Sequence, residues 1–456
     1  MITLPKYVSL FMKTFQEKNY QIYVVGGALR ELLLGHNVDN WDFATSATPE
    51  EILKLYPDGF YNNQFGTVGI PRHSREGGNL DPRFHGDDMV FEVTTFRKEG
   101  NYEDGRHPSK IEWAKTVEED LARRDFTINA LAYDGKKLID LYDGQKHLKE
   151  RLIVAVGDPD KRFSEDALRL MRAIRFASEL GFLIEEKTRE SILKNSELIT
   201  KISWERIRDE LLRIIASDNP SEGILFLRST GILSHILPEV DDCFGIEQVT
   251  INRHHIYDVG THLIMALKHC PSYDVITRLA ALLHDTGKKR TFRKDETTGQ
   301  ITFHNHEVIG GQIAEKVAER LRLSKKQKEK LVLLVRMHMF TVSELQTDKA
   351  VRRFIREVGK ENLRDMLDIR TSDRVGSGST PTSWRLELFK KRLEEVQKEP
   401  FTVKDLKITG NDVMKSLKLE PGPKIGEILN KLFDEVVEGK LKNEKAVLLK
   451  EVRDYK

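Results

Sequence analysis

The hydrophobic pattern changes near Asp158, and this change constrains the fold more than any other feature of the chain. Before Asp158, short runs of β-branched and aromatic residues alternate with short helical segments, which is typical of a domain that mixes a sheet with helices. After it, apolar residues recur about every 3.6 residues, which predicts helices up to the C-terminus. The sequence therefore predicts an α+β region followed by an elongated all-α region.

The chain has 456 residues, too many for one ordinary core. A prior of about 150 residues per domain predicts roughly two to four domains. We expect a head at 1–155 with an exposed insertion at 71–88, a helical neck and body at 156–245, another helical domain at 246–376, and a helical tail at 377–456.

Composition excludes several classes of protein. With 39% hydrophobic and 32% charged residues, the chain fits a soluble globular protein, and it has no apolar run long enough to span a membrane. The N-terminus lacks the features of a signal peptide, and two cysteines give no disulfide framework, so we expect a cytoplasmic protein. A net charge of +2 neither indicates nor excludes binding to nucleic acid.

The head is predicted to begin with alternating strands and helices. Thr48 is a plausible N-cap for the helix that starts at Pro49, and Gly35 is expected to end the helix before it. The remaining expectations are strands at 23–25, 40–45, 65–70 and 90–96, helices at 3–19 and 28–34, and one long helix at 164–180 beyond the head.

Gly26 and Gly27 stand between a predicted strand and a predicted helix that carries Arg30. Paired glycines let backbone N–H groups approach a phosphate, and a helix N-terminus favours negative charge. An ordinary turn would explain the pair equally simply. The pair becomes a candidate phosphate site only together with other motifs.

A second candidate lies at Asn40-Trp41-Asp42, where residues i and i+2 of a strand project to the same side. Two carboxylates at that spacing can hold Mg²⁺ ions that activate a 3′-hydroxyl, but Asn40 replaces the first carboxylate. We expect Asp39 to point to the opposite side of the strand. Glu92, on the neighbouring predicted strand, is either a further metal ligand or a strand-edge ion-pair partner.

Arginines form the third candidate. Arg123 and Arg124 precede Asp125 at what reads as a helix start, where they can clamp a triphosphate, whereas Asp125 alone can be an ordinary cap. Arg169, Arg172 and Arg175 recur every three residues and are expected to share one helix face.

These motifs together resemble the class II tRNA nucleotidyltransferase and bacterial poly(A) polymerase family. The matching segments include VVGGALRELLLG, NWDFATSATPEE, FEVTTFR, DGRHP and EEDLARRDFTINALAYD, in the order typical of that family. The resemblance implies a polymerase-β-like palm that uses two-metal chemistry. The family's metal pair falls on Asn40 and Asp42, and Asn40 departs from it because an amide oxygen brings no negative charge.

The resemblance also implies residues for nucleotide binding. Asp166 and Arg169 match the nucleotide-selecting motif, in which a carboxylate and a guanidinium would read the Watson–Crick edge of C or A; an intrahelical salt bridge is the alternative. Arg106 in DGRHP would assist the switch from C to A. The full implied set is Gly26, Gly27, Arg30, Arg106, Arg123, Arg124, Asp125, Asn129, Asp166, Arg169, Arg172 and Arg175.

A different pattern spans 250–375. Adjacent His284 and Asp285 end an apolar segment, and mixed imidazole and carboxylate ligands suit Mn, Fe, Ni or Mg. The pattern resembles the HD phosphohydrolase superfamily. The resemblance implies a metal site and hydrolysis of phosphate esters on RNA ends, while the alternative is a helical scaffold that only binds tRNA. The matching residues are His262, His284, Asp285, His306, His338 and Asp373, with His254 and His255 as rivals to His262 and His304 as a rival to His306.

The leading hypothesis is template-independent addition of CCA to the 3′ end of tRNA from CTP and ATP with Mg²⁺. CC-only, A-only and poly(A) synthesis are alternatives within the same class. Two further hypotheses are a phosphohydrolase with a weakened nucleotidyltransferase site, and a non-catalytic tRNA-binding protein. The sequence leaves the oligomeric state open.

Overall fold

The structure is a computed structural model of the protein. It describes residues 2–63, 66–71, 90–98, 112–248, 256–397, 403–437 and 440–455. The predicted insertion at 71–88 lies outside the described residues except for Pro71, and Arg106, His254 and His255 also lie outside them. No described helix is both long enough and apolar enough to cross a membrane.

The chain divides into two compact units. Unit 1 comprises Met1–Asp242 with Arg320–Arg322, and unit 2 comprises Cys243–Glu319 with Leu323–Lys456. This division near residue 242 falls close to the expected boundary at 245. The further predicted boundaries, at 155 and 376, stay predictions.

The strands lie almost entirely in unit 1. They are β1 Ile22–Val25, β2 Trp41–Thr45, β3 Phe60–Asn63, β4 Thr67–Pro71, β5 Val90–Thr95, β6 Arg97–Lys98, β7 Glu112–Trp113, β8 Leu131–Tyr133, β9 Leu138–Asp140, β10 Leu152–Ile153 and β11 Leu183–Ile184, with β12 Phe292–Lys294 and β13 Ile301–Phe303 in unit 2. Seven of them form one mixed sheet in the order β3-β4-β5-β2-β1-β8-β9.

The helices of unit 1 are α1 Lys6–Gln16, α2 Gly26–Leu34, α3 Pro49–Leu55, α4 Val117–Ala122, α5 Gly144–Glu150, α6 Pro159–Glu165, α7 Leu168–Leu180, α8 Glu186–Lys194, α9 Trp204–Ala216, α10 Pro220–Ser229, α11 Ile232–Ile236 and α12 Pro238–Asp241. Those of unit 2 are α13 Val259–Lys268, α14 Val275–Leu283, α15 Lys288–Thr291, α16 His306–Arg320, α17 Lys325–Met337, α18 Asp348–Val358, α19 Leu363–Gly376, α20 Trp384–Val396, α21 Gly410–Leu417, α22 Pro423–Val437 and α23 Lys445–Arg453. A sheet-containing head followed by helices confirms the predicted fold class.

Local chemistry explains several boundaries in the head. The Thr48 hydroxyl accepts a hydrogen bond from the Glu51 N–H, and the Glu51 carboxylate accepts one from the Thr48 N–H. The predicted cap of α3 is therefore confirmed as a capping box. Helix α2 ends at Gly35, which adopts φ 78°, a left-handed conformation that suits glycine. Aromatic side chains of α1 and of the sheet contribute to the core, with Phe15 of α1 and Phe43 of β2 fully buried.

The expected long helix at 164–180 is wrong in one respect. The chain forms α6 and α7 instead, because Asp166 between them is extended, with φ −145° and ψ 104°. Its carboxylate accepts the Leu168 N–H, so Asp166 satisfies a free donor at the start of α7 rather than continuing α6. Periodicity alone does not reveal such a break, because buried apolar residues, Phe163 before it and Leu168 after it, lie on both sides.

Candidate active site

One cavity of about 1160 Å³ in unit 1 contains nearly all the predicted nucleotidyltransferase residues that the structure describes. Its walls come from the β1–α2 turn, the starts of β2 and β5, the segment after α4, and helices α7 and α9. Its charged lining is dominated by arginines: Arg30, Arg97, Arg123, Arg124, Arg169, Arg172, Arg175, Arg206 and Arg213. Such a surface attracts a polyanion.

Two carboxylates face this cavity from neighbouring strands. Strands β2 and β5 are parallel, and their register places Asp42 opposite Glu92. Burial, and next the charge of Glu92, raise the pKa of Asp42 to about 6, although Arg124, Arg30 and the Ala28 N–H counteract the rise. Close carboxylates that repel each other fit a divalent cation, which would relieve that repulsion.

Gly26 occupies a position that only glycine tolerates easily. Its φ is +63°, and a Cβ there would lie 3.3 Å from Arg124 Nη1 and 3.4 Å from Asp42 Oδ2. Because Gly26 begins α2, the helix N-terminus opens beside Asp42 and Arg124. This placement agrees with the predicted phosphate site at the glycine pair.

Asn40 lines the cavity as expected, but Asp39 lines it too. Strand alternation does not decide the direction of Asp39, because β2 begins only at Trp41, so the expectation that Asp39 points away stays a prediction. Asp39 and Glu92 both line the cavity and are the candidates to supply the charge that Asn40 lacks.

Arg123 and Arg124 follow helix α4, and the helix that begins after Asp125 is only a single 3₁₀ turn, Thr127–Asn129. Both guanidinium groups bond to Asp120, which is only 1% exposed. Arg124 also donates to the Asn129 carbonyl. Asp120 was not singled out from the sequence, although its position before two arginines in EEDLARRD is a usable signal.

Asp125 is an ion-pair partner rather than a helix cap, since Phe126 holds the N-cap position of the 3₁₀ turn Thr127–Asn129. It accepts two hydrogen bonds from Arg172, one from the Phe126 N–H and one from the Asn129 amide. Burial alone would raise the pKa of Asp125, but the Arg172 guanidinium outweighs it and lowers the pKa to about 2. Asn129 Oδ1 also accepts from Arg30, which links the glycine-bearing helix to this group.

Asp166 and Arg169 both line the cavity, and the Arg169 N–H donates to the Asp166 carbonyl at 3.0 Å. Arg169 donates to Glu165 and to the carbonyls of Arg162 and Arg123, whereas Asp166 pairs with Arg206 at 2.8 Å. Their places in one cavity wall agree with the expectation that both face one pocket, whereas the expected single helix is wrong, since Asp166 precedes α7. Arg206, on α9, is a partner that the sequence analysis did not identify.

Phe176 is a further residue of the cavity that the sequence analysis overlooked. Three guanidinium groups lie over its ring, with centroid distances of 4.2 Å for Arg175, 5.0 Å for Arg30 and 5.3 Å for Arg172. Arg175 also pairs with Glu210 at 3.2 Å, and burial lowers its pKa to about 10. The RAIRFA segment places Phe176 directly after Arg175, which could have indicated it.

Unit 2 contains a separate cluster made of the six residues that match the HD pattern. The first group comprises His262, His284, Asp285 and Asp373, whose candidate ligand atoms lie within 4.8 Å of one another. Asp285 Oδ2 is 3.2 Å from His262 Nε2 and 3.3 Å from His284 Nε2. Burial would lower the pKa of His284, but Asp285 and Asp373 raise it to about 10.

The second group uses the other oxygen of the same carboxylate. Asp285 Oδ1 lies 3.2 Å from His306 Nε2 and 3.5 Å from His338 Nε2. Both Nε2 atoms are buried and form no hydrogen bond within the described part of the chain. Their Nδ1 atoms pair with the carbonyls of Phe303 and Val335, so each ring is held with Nε2 towards Asp285. His304 is exposed, and His306 rather than His304 joins the cluster.

A cavity of about 550 Å³ opens onto this cluster. Lys288 lies at its wall, 2.7 Å from Asp285 Oδ2, and also donates to Gln248. Gly287 allows close packing here, because a Cβ would lie 2.1 Å from the His306 carbonyl. The cluster is thus buried and tightly packed yet reachable from one side.

Comparison with known protein families covers both units. Residues 22–154 match the poly A polymerase head domain, 181–244 match the probable RNA and SrmB-binding site of polymerase A, and 309–452 match the putative tRNA nucleotidyltransferase domain 2. The chain is 34% identical over 447 residues to the CCA-adding enzyme of Levilactobacillus brevis, covering 97% of this chain and 96% of that protein. The chain belongs to the CCA-adding enzyme family.

Other relatives agree with this membership. The CCA-adding enzyme of Ligilactobacillus salivarius is 31% identical over 444 residues, covering 97% of this chain and 94% of that protein. The crystal structure of the Bacillus stearothermophilus CCA-adding enzyme in complex with CTP superposes with a TM-score of 0.72 at 25% identity, covering 99% and 98% of the two chains. Membership confirms the predicted family and makes this chain a nucleotidyltransferase.

Proposed function

We propose that this member of the family adds CCA to the 3′ end of tRNA from CTP and ATP, and that the cavity of unit 1 is its active site. The observation that supports this proposal most directly is the strand register, which pairs Asp42 with Glu92 in the wall of a cavity lined with arginines. The relatives named above are CCA-adding enzymes, which favours complete CCA addition over CC-only, A-only or poly(A) synthesis. We keep the cytoplasm as its predicted location.

The residues of the cavity fit a divalent cation, and Mg²⁺ is the ion we propose. Asp42 and Glu92 supply carboxylate oxygens, while Asn40 can supply only a neutral amide oxygen. Asp39 can restore the missing negative charge. When bound, the ion would activate the 3′-hydroxyl and neutralise the triphosphate.

The arginines divide into two groups by their existing partners. Arg123 and Arg124 share Asp120 and are held in place beside the glycine turn, where a triphosphate would lie. Asp166 and Arg169 present an acceptor and a donor for the base. In the structure Asp166 pairs with Arg206, so recognition of a base by Asp166 exchanges that ion pair for hydrogen bonds to the nucleotide.

A direct assay tests this proposal. We expect a tRNA ending at the discriminator base to gain two C residues from CTP alone and a terminal A when ATP is also present. Asp42→Asn serves as the inactive control, because it removes one charge without changing size. A tRNA that stays unextended by the parent protein with either Mg²⁺ or Mn²⁺ would contradict the proposal.

We propose a second function for unit 2, metal-dependent hydrolysis of phosphate esters on RNA ends. The observation that favours it is the division of Asp285 between two histidine pairs, one at each carboxylate oxygen. The unpartnered Nε2 atoms of His306 and His338 fit a metal ion, since a lone pair on each faces the same carboxylate. We therefore propose that the six residues of the cluster would hold divalent ions, of a transition metal such as Mn, Fe or Ni, or of Mg.

The rest of this site suits an anionic substrate. Lys288 stands beside Asp285, and Arg370 lines the same cavity. Bound ions would supply a deprotonated water at neutral pH. Because imidazoles must be neutral to act as ligands, loading would release the proton that Asp285 and Asp373 hold on His284.

Metal analysis tests this second function separately from catalysis. After loading with Mn²⁺ and removal of free ions, we expect about two ions per chain in the parent. His284→Ala should lower the content and abolish hydrolysis of a 2′,3′-cyclic phosphate, while CCA addition continues. Equal hydrolysis by the parent and His284→Ala would contradict the proposal.

A further inference from the structure

A smaller cavity of about 280 Å³ lies in unit 2 and shares two residues, Arg370 and Arg374, with the cavity over the metal cluster. The shared arginines make the two cavities neighbours on one surface. The smaller cavity is lined by Val342, Arg370, Arg374, Ser383, Trp384, Arg385 and Leu386, and no acidic side chain is among these described lining residues.

Helix α19 connects the smaller cavity to the cluster. Asp373, a proposed metal ligand, stands on this helix between Arg370 and Arg374, which are one turn apart and share a face. Arg370 Nη1 lies 3.9 Å from Asp373 Oδ2. A phosphate that reaches the metal cluster therefore lies within reach of the first of these arginines.

Arg374 is held in position by the loop that follows α19. It donates to the carbonyls of Thr380 and Thr382 and to the Thr380 hydroxyl, and these bonds use Nε and Nη2. Arg370 lies over the ring of Phe340, with its guanidinium carbon 5.6 Å from the centroid. Both guanidinium groups are thus oriented before any ligand arrives, which lowers the entropic cost of binding.

Trp384 presents a large aromatic surface beside these arginines. It is 63% exposed, whereas the other described large aromatic residues of α18 and α20, Phe354 and Phe389, are buried. It begins α20, where the Ser383 side chain accepts the Leu386 N–H, so the backbone at Trp384 is fixed.

Arg385 packs against the indole ring of Trp384 and holds it in position. Its guanidinium carbon lies 5.1 Å from the centroid of the indole ring, and both ends of its fork bond to Glu344. An exposed, oriented indole surrounded by arginines suits a nucleobase, which stacks on aromatic faces regardless of sequence.

We infer that these two cavities form a seat for the terminal nucleotide of an RNA strand, with its base on Trp384 and its phosphate held by Arg370 and Arg374 towards the metal cluster. This inference rests on the proposed phosphohydrolase function and names its substrate class. A small phosphate ester would fill the cavity over the cluster but leave Trp384 unused. An acidic peptide would meet the arginines, but it carries no planar base for the indole.

The reaction served by the seat is hydrolysis of a 2′,3′-cyclic phosphate. The water oxygen forms a bond to phosphorus while the bond from phosphorus to one ribose oxygen breaks. The released oxygen takes a proton from the water, and the product is a phosphomonoester with a free neighbouring hydroxyl. No oxidant, reductant or further co-reactant is needed.

Kinetics with two substrates test the seat. In protein loaded with Mn²⁺, Trp384→Ala should raise KM for an adenosine 2′,3′-cyclic phosphate about ten-fold, as expected for the loss of one stacked base. Hydrolysis of a methyl riboside 2′,3′-cyclic phosphate, which has the same reacting ring but no base, should change by less than about two-fold under subsaturating conditions, a shift too small for a lost stacked base. Trp384→Phe keeps an aromatic face and should recover most of the affinity. Tyr273→Ala is a matched control, because Tyr273 is 97% exposed in the same unit but lines neither cavity.

Fluorine NMR gives a readout that does not depend on activity. The protein has four tryptophans, so incorporation of fluorotryptophan gives four signals, and Trp384→Phe identifies the one from Trp384. We expect millimolar adenosine monophosphate to shift that signal and inorganic phosphate to leave it in place. An unmoved signal, together with equal KM values for the parent and Trp384→Ala, would overturn the seat.

The two proposals fail in different ways. If Mn²⁺-loaded protein hydrolyses neither substrate, the phosphohydrolase function fails, yet a nucleotide-dependent shift of the Trp384 signal would still support the seat. If both substrates are hydrolysed equally by the parent and Trp384→Ala, the function stands and the seat is wrong. A shift caused by an acidic peptide but not by the nucleotide would point to a protein ligand and also overturn it.

Discussion

The cavity of unit 1 and the cluster of unit 2 both gather carboxylates, but they surround them with different partners. In unit 1, Asp120, Asp125 and Asp166 are each paired with arginine. In unit 2, Asp285 meets four imidazoles. Arginine stays protonated and has no lone pair to offer, whereas neutral imidazole is a good metal ligand. The partners of a carboxylate therefore indicate its role.

By this criterion Asp120, Asp125 and Asp166 position arginines of unit 1. Asp42 is different, because its nearest carboxylate neighbour is Glu92 and its pKa is raised to about 6. The cluster of unit 2 is instead organised around one bridging carboxylate. The two regions are thus expected to respond to different substitutions, and the following predictions test that separation.

The largest expected effect is a crossed loss of activity. Asp42→Asn should lower nucleotide incorporation into tRNA by about a thousand-fold or more, because the site loses a charged metal ligand, and should leave the metal content of unit 2 unchanged. Asp285→Asn should lower the metal content of unit 2 and its hydrolysis of phosphate esters, and should leave nucleotide incorporation unchanged. Measuring incorporation, hydrolysis and metal content in both variants checks this. Loss of both activities in either variant would show that the two sites are not separate.

Asp125→Asn should lower the free energy of unfolding of unit 1 by about 2 kcal/mol at pH 7, because it leaves Arg172 without its partner. The figure is below that for a fully buried pair, since the Arg172 side chain is 33% exposed. The folded-state pKa of Asp125 is about 2, below its unfolded value, so the pair stabilises the protein above pH 4 or so and the benefit is lost as the pH falls towards 2.

Urea titrations of the parent and Asp125→Asn at several pH values measure this effect. The difference between the two proteins should shrink on acidification. A difference that grows as the pH falls would show that Asp125 is not ionised in the folded protein, and that the ion pair with Arg172 is wrongly assigned.

Asn40→Asp tests how unit 1 compensates for its missing carboxylate. If Asp39 and Glu92 leave the metal underbound, the substitution should lower the Mg²⁺ concentration needed for half-maximal incorporation by about ten-fold. Asp39→Asn in the parent background is the matched variant and should raise that concentration. No change in either protein would show that Glu92 and Asp42 suffice.

The smallest expected effects are on the unfolding free energies of the two units. Thr48→Ala removes the capping box of α3 in unit 1, and Ser324→Ala removes that of α17 in unit 2. Each should cost about 1 kcal/mol of unfolding free energy. Calorimetry checks whether each variant shifts only one transition. Equal shifts of a single transition in both variants would show that the units unfold together.

The sequence predicted the architecture well because its signals are local. Thr48, Pro49 and Gly35 mark helix ends by their own chemistry, and the change of periodicity near Asp158 separates the sheet from the helices. The six residues of the HD pattern were found because their spacing matched a family. All six lie together in the structure.

The sequence did not predict features that depend on packing between distant segments. Two examples are the pairing of Asp166 with Arg206 on α9 and the contact of the Phe176 ring with Arg30 on α2. The helix break at Asp166 is not visible in the apolar pattern, because buried apolar residues lie on both sides of it. Long-range partners of charged residues cannot be read from spacing alone.

That break has a consequence for substrate choice. A residue inside a helix can redirect its backbone only by disrupting the ladder around it, but Asp166 belongs to neither α6 nor α7. Its carboxylate accepts from the Leu168 N–H and from Arg206, and its carbonyl accepts from the Arg169 N–H, whereas the Arg169 guanidinium donates to Glu165 and to two backbone carbonyls. Under the proposed function, the Asp166 carboxylate would turn while the Arg169 guanidinium stays in place, so one pocket would fit a pyrimidine and then a purine.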